Sequence, residues 1–180
     1  MRIWYLADAR LPGPAANTVQ IMKMCAAFSA AGQDVTLRAR VNLDTSAESL
    51  FRFYAVPGSF KISPAPRLIP GRSGRDEWNL PFTFSALPSL KMRKARLDLL
   101  YTRLPILAPL TARLGLRVVY EAHRQLPAGG RMARWGTARF LRSAGRRNFQ
   151  AVVAISAVLG EWYARLGFPR EKILVAHDGV

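Results

Sequence analysis

Within its first forty residues the chain spells strand, helix, strand, and that order leaves few folds open. Residues 2–7 (Arg-Ile-Trp-Tyr-Leu-Ala) form a short apolar run closed by Asp8, the pattern of a buried strand. Residues 8–16 read as a loop. Asn17 then opens a helix: it is a preferred N-cap, and Gln20 stands three places on, in capping-box register. Met22, Met24, Cys25 and Phe28 follow, and Gly32 ends the helix. Residues 34–40 alternate as a second strand. Two strands joined by a helical crossover pair in parallel, so the unit predicts a parallel sheet.

The alternation continues. Residues 45–55 read as helix and 60–63 as a short strand. Later strands are expected at 97–102, 117–121, 151–155 and 173–176, with helices at 107–114, 130–147 and 157–166 between them. Residues 64–90 carry Pro64, Pro66, Pro70, Gly71, Gly74, Pro81 and Pro88, and read as loop, with a mobile, exposed stretch around 70–76. The prediction is α/β: residues 1–180 form a single Rossmann-like, doubly wound domain. Its mainly parallel sheet has about seven strands, with helices on both faces.

Composition narrows the class. A chain of 180 residues, half of them hydrophobic, can bury a full-sized core. The apolar run 3–7 is too short for a signal-peptide core, and no run approaches the roughly 18 residues of a membrane span. A lone cysteine, Cys25, forms no internal disulfide and suits a reducing compartment. With two His and one Cys, no metal site is predicted. The 27 Lys and Arg against 11 Asp and Glu give a net charge of +16, which attracts polyanions, unless it is only solvated surface.

In doubly wound sheets the ligand crevice lies outside the carboxyl ends of the strands. Asp8, Arg103, Glu121 to Arg124, Ser156 and His177-Asp178 all fall there. The loop 11–17 leads into a helix N-terminus, where free N–H groups favour phosphate. It lacks the three glycines of the dinucleotide fingerprint, so an ordinary capped loop competes with that reading. Strand alternation puts Glu121 and His123 on one side. A histidine there can donate or accept a proton, or be merely structural. No Gly-x-Ser-x-Gly turn supports a serine triad.

On a helical wheel of 130–147, Arg131, Arg134, Arg139, Arg142 and Arg146 fall within an arc of roughly 140°. Trp135 stands at its middle, and Met132, Ala133, Phe140, Leu141 and Ala144 occupy the remainder. An exposed Trp among arginines suits an anionic membrane surface or an acidic partner, against the plainer reading of a solvated face with its Trp packed on a neighbour. Nucleic acid is the weaker partner, because no recognised binding module accompanies the charge.

Taken together, the pieces Ala16–Met24, Gly32–Leu37, Asp98–Arg103, Val118–His123, Val153–Ser156 and Glu171–Val180 resemble, in order and spacing, the N-terminal domain of family 4 glycosyltransferases, retaining enzymes of GT-B fold. Residues 41–96 match least. The resemblance implies an acceptor-binding domain, a nucleotide-sugar donor held by a C-terminal domain, and transfer without metal or cofactor to a glycan or lipid-linked acceptor. It implies that His123 contacts the transferred sugar and that the loop with Gly13 and Asn17 faces the donor diphosphate. By position, Asp8, Arg103 and Arg124 are expected to contact acceptor. Asp178-Gly179-Val180 matches the entry to an interdomain linker, so the donor domain is expected elsewhere and the isolated chain is expected to be inactive.

The expected location is the cytoplasm, peripheral at the inner face of the membrane. Two other readings stay open. One is a non-catalytic basic module that docks on anionic membrane or a protein partner. The other is an unrelated nucleotide-binding α/β protein.

Overall fold

The computed structural model describes residues 1–65, 80–92 and 96–177. Seven strands form one sheet: β1 (Arg2–Leu11), β2 (Asp34–Val41), β3 (Lys61–Pro64), β4 (Leu99–Thr102), β5 (Val118–Ala122), β6 (Phe149–Ala154) and β7 (Ile173–Val175). Every neighbouring pair is parallel, in the order β3-β2-β1-β4-β5-β6-β7. The helices are α1 (Ala16–Ala30), α2 (Ala47–Phe53), α3 (Leu80–Met92), α4 (Leu107–Arg113), α5 (Gly130–Ala144) and α6 (Ala157–Arg165). A 3-10 turn at Arg170–Lys172 leads into β7. This is the doubly wound α/β sheet that the alternation predicts. The chain winds one way from β1 through β2 and β3, and the other way from β4 onward. β1 and β4 therefore lie side by side where the winding reverses, the usual place for a ligand crevice.

Strand alternation sorts the core onto two faces. Ile3, Tyr5, Ala7, Ala9 and Leu11 bury against Ile21, Met22 and Cys25 of α1 and Leu50 of α2. Trp4 and Leu6 point the other way, into a cluster with Leu90 of α3, Leu107 of α4, Phe140 of α5 and Tyr163 of α6. No described helix is long and apolar enough to cross a membrane.

Three expectations need correction. β1 does not stop at Ala7 but runs to Leu11, because Ala9 and Leu11 continue the buried alternation. Its pairing with β2 shifts register between Leu6 and Arg10. Asn17 is not the cap of α1; the N-cap is Ala15, with no side-chain cap, and Asn17 is the second helical residue. The Thr18 hydroxyl takes over the turn, 2.7 Å from the carbonyl oxygens of both Gly13 and Ala15.

The third correction is α3, which lies inside the segment read as loop. Proline misled that reading. Pro81 falls in the first turn, where a missing N–H costs nothing. Pro88 lies inside the helix, which holds because Phe82, Ala86 and Leu90 form a buried stripe at four-residue spacing. The stretch expected to be mobile at 70–76 and the linker segment Asp178–Val180 lie outside the described residues.

Candidate functional site

β4 and β5 run in register, Thr102 beside Tyr120, so the next residues, Arg103 and Glu121, fall side by side at the carboxyl edge. Tyr5 of β1 pairs with Tyr101 of β4 and shares their side of the sheet. These three residues meet under the N-terminus of α1. Arg103 Nε donates to Tyr5 Oη at 2.9 Å, and Arg103 Nη2 donates to Glu121 Oε1 at 2.8 Å. Tyr5 Oη donates to Glu121 Oε2 at 2.6 Å. His123, one residue past β5, brings Nε2 to 2.6 Å from Glu121 Oε1. Arg103 Nη1 also reaches the Asn17 carbonyl oxygen of α1, at 3.4 Å.

The electrostatics follow from that arrangement. The Glu121 side chain is 3% exposed and burial pushes its carboxyl up. The hydrogen bond from His123, the Arg103 charge and the bonds from Arg103 and Tyr5 outweigh burial and hold it at about 2. Burial also opposes charge on Arg103, but the Tyr5 oxygen and the Glu121 carboxylate raise its proton affinity. Burial drives the Tyr5 hydroxyl well above its usual range. Behind them, burial pushes the Cys25 thiol up too, so it is inert.

A cleft of about 190 Å³ opens over this cluster, lined by Asp8, Asn17, Arg103, Glu121, His123 and Arg124 among others. The sequence-named residues Asp8, Asn17, Arg103, His123 and Arg124 are thus brought to one cavity. Asp8 lies within the register shift of β1 and is held by Arg40 Nε at 2.7 Å. Arg40 in turn lies over the Phe82 ring, 5.4 Å from its centroid.

Gly13 is held elsewhere. Its N–H donates to the Tyr54 hydroxyl at 2.8 Å, and that hydroxyl donates back to the Gly13 carbonyl at 2.9 Å. A side chain at Gly13 would meet the Arg10 carbonyl oxygen at 3.0 Å. Ser156 caps α6 through Leu159 N and has a structural role.

Sequence reasoning passed over Tyr5, Arg40 and Tyr54. Tyr5 hides in an apolar run, and its one signal is a polar tip in the strand that ends at the crevice. Arg40 gave a better signal, a charge at the end of a buried strand. Tyr54 gave none, because it reaches Gly13 across 41 positions.

α5 ends at Ala144, short of the expected 147; Arg131, Arg134, Trp135 and Arg142 on it are exposed, as is Arg146 two residues past its end. Met132, placed on the apolar remainder, is exposed as well. Trp135 is 48% exposed, and the Arg139 guanidinium stacks over its ring, 4.4 Å from the centroid. Arg139 Nε is buried with no hydrogen-bond partner among the described residues. Ile106, Pro109 and Leu110, at the start of α4 and within it, line a small recess with Trp135 and Arg139.

Comparison with known proteins identifies the family and the fold. The family model described as Glycosyl transferase 4-like domain matches residues 17–179. No curated protein matches the chain in sequence. Among solved structures, Anabaena Alr3699/HepE in complex with UDP superposes with a TM-score of 0.59 at 14% identity, covering 100% of this chain and 44% of that one. The lipopolysaccharide outer core galactosyltransferase WaaB, in its apo form, gives 0.59 at 12%, covering 100% and 46%. UDP-GlcNAc 2-epimerase from Neisseria meningitidis, bound to UDP-GlcNAc, gives 0.60 at 9%, covering 97% and 45%. At such identities the likeness is one of fold. The chain spans less than half the length of these structures.

Proposed function

The chain belongs to the glycosyl transferase 4-like domain family, whose model spans residues 17–179, and we propose that it is the acceptor-binding half of a retaining, metal-independent glycosyltransferase. The observation that carries the reading is the polar cluster at the β1–β4 reversal, with His123 at the wall of the cleft. A fold alone does not choose a reaction: the superposed structures include an epimerase as well as a galactosyltransferase. What several of them share is a uridine-linked ligand, named as UDP, UDP-glucose or UDP-GlcNAc. That supports a nucleotide-sugar as donor here.

In this reading the donor is held mainly by a second domain and reaches the cleft over the N-terminus of α1. Its leaving diphosphate gains from the helix dipole near Asn17. Gly13 keeps the loop close and Tyr54 fixes it, rather than Gly13 offering its own N–H. His123 contacts the transferred sugar. Asp8 and Arg124, on the cleft wall, contact a glycan or lipid-linked acceptor. Arg103, which lines the same cleft, contacts the acceptor with the donors left after one N–H each goes to Tyr5, Glu121 and Asn17. The exposed arginines of α5 would seat the domain on anionic lipid at the cytoplasmic face.

The test joins this chain to a donor-binding half and screens nucleotide-sugars for transfer. His123→Ala is expected to lower turnover by about two orders of magnitude, the size typical of a positioned acid–base or hydrogen-bonding group. Its fold should persist, since His123 lies beyond the strand end. Wild-type turnover in that variant would remove His123 from the site. Transfer by the unjoined chain at the joined rate would end the claim that it is half of a machine.

A further inference from the structure

The hydrogen bonds around Glu121 fix where each proton sits. Arg103 Nε donates to the Tyr5 oxygen, so the phenolic proton points away from it, toward Glu121 Oε2. Arg103 Nη2 gives Oε1 a second donor. A guanidinium has no acceptor to offer, so these contacts leave the carboxylate acting only as acceptor. His123 Nε2, at 2.6 Å from Oε1, must then carry a proton.

The cluster has no evident value as plain packing. A buried ion pair seldom stabilises a fold more than apolar side chains of the same volume, because desolvation offsets the attraction. Here the buried carboxylate stands one residue from the strand end and holds the single histidine of the cleft.

We infer that Glu121 is the positioning residue for His123: Tyr5 and Arg103 lock its carboxylate, and the carboxylate in turn holds the imidazole by Nε2–H, fixing the ring for its contact with the sugar. The inference rests on the glycosyltransferase reading for the sugar, but not for the tether itself. Arg103 links the same carboxylate to the first turn of α1 through the Asn17 carbonyl. The histidine and the diphosphate-facing helix end are thus braced by one guanidinium.

Proton NMR tests the tether on this chain with no donor half. The chain has two histidines, and His177 is exposed, so assignment is simple. His123 is expected to show a downfield, exchange-protected imidazole N–H, and His177 none. In Glu121→Gln that resonance should move upfield and exchange faster while the fold, by circular dichroism, is kept. If that variant fails to fold, Tyr5→Phe keeps the Oε1 contact, removes the donor on Oε2, and should still shift the His123 signal alone.

In the joined enzyme, Glu121→Gln should lower kcat by about 10-fold to 100-fold, with KM nearly unchanged, the cost of a misplaced group. A His123 N–H that exchanges as fast as that of His177, or a Glu121→Gln enzyme with wild-type kcat, overturns the inference. If the resonances behave as expected but no joined wild-type enzyme transfers sugar, the tether stands and the functional reading falls.

Discussion

Arg103 and the arginines of α5 bring the same charge into opposite surroundings. The Arg103 side chain is 12% exposed and gives one N–H each to Tyr5, Glu121 and Asn17. Arg131, Arg134 and Arg142, and Arg146 just past the helix, are exposed, and among the described residues no carboxylate pairs with them. Their effect shows on a neighbour: Arg113 loses proton affinity, first through the charge of Arg139, then burial, then Arg146 and Arg142. At the cleft Arg103 is balanced by Glu121, and beside it Arg40 by Asp8, each within one hydrogen bond. On α5 the charge is balanced only by whatever approaches from outside. The excess of +16 is therefore no guide to the chemistry, which has to be read from the few arginines that are neutralised.

The sharpest way to break this contrast is to delete one arginine from each place. Arg103→Ala leaves a buried carboxylate without its counter-charge and should cost about 3–5 kcal/mol in denaturant unfolding. Arg142→Ala, at the surface, should stay within about 0.5 kcal/mol. Equal costs would mean that the cleft network is no more than a solvated ion pair.

Acid separates the regions next. Glu121 is held at about 2 against an ordinary 4.5, so its contribution to stability is complete above pH 4.5 and is lost as pH falls through 2. The loss should be on the order of a few kcal/mol. α5 has no carboxylate to titrate in that window. Asp98, held down first by its hydrogen bonds from Arg2, titrates there too. The readout is therefore the difference between wild type and Glu121→Gln, whose stability should be flatter between pH 2 and 4.5. Parallel curves would show that Glu121 is not held by its partners.

The sheet was legible because period-two alternation and strand–helix order are local signals, and so were the residues that a parallel sheet carries to its carboxyl edge. Asp8, Arg103 and His123 share one cleft for that reason alone. What escaped depends on distance in sequence. Tyr5 meets Glu121 across 116 positions, and no local pattern encodes such a bond. Arg103 was legible in place but not in its partners. Strand position says that it reaches the crevice, and only the hydrogen bonds show it bracing Glu121. α3 was lost for the opposite reason, since a strong local signal, proline, was overruled by burial of Phe82, Ala86 and Leu90.

The gentlest probe concerns α5 itself, one arginine at a time. Exposed cations near an anionic bilayer gain roughly 1 kcal/mol each, about fivefold in partition. Arg139 is a poor choice for the test. It stacks on Trp135 and is partly buried, so its removal would disturb packing as well as charge. Arg131, Arg134 and Arg142 are exposed and suit better. Neutralising each to Gln should weaken sedimentation with anionic vesicles about fivefold, leave neutral vesicles unbound, and leave stability nearly untouched. Added salt should mimic the substitutions, since surface charges are screened within about 10 Å at 0.1 M. Trp135 adds a local reporter: half-exposed beside these arginines, its fluorescence should shift blue on docking if the α5 face is the one that meets lipid. Binding that ignores lipid charge, or survives all three substitutions, would assign the excess charge to solvation, and α5 would then differ from the cleft in exposure alone.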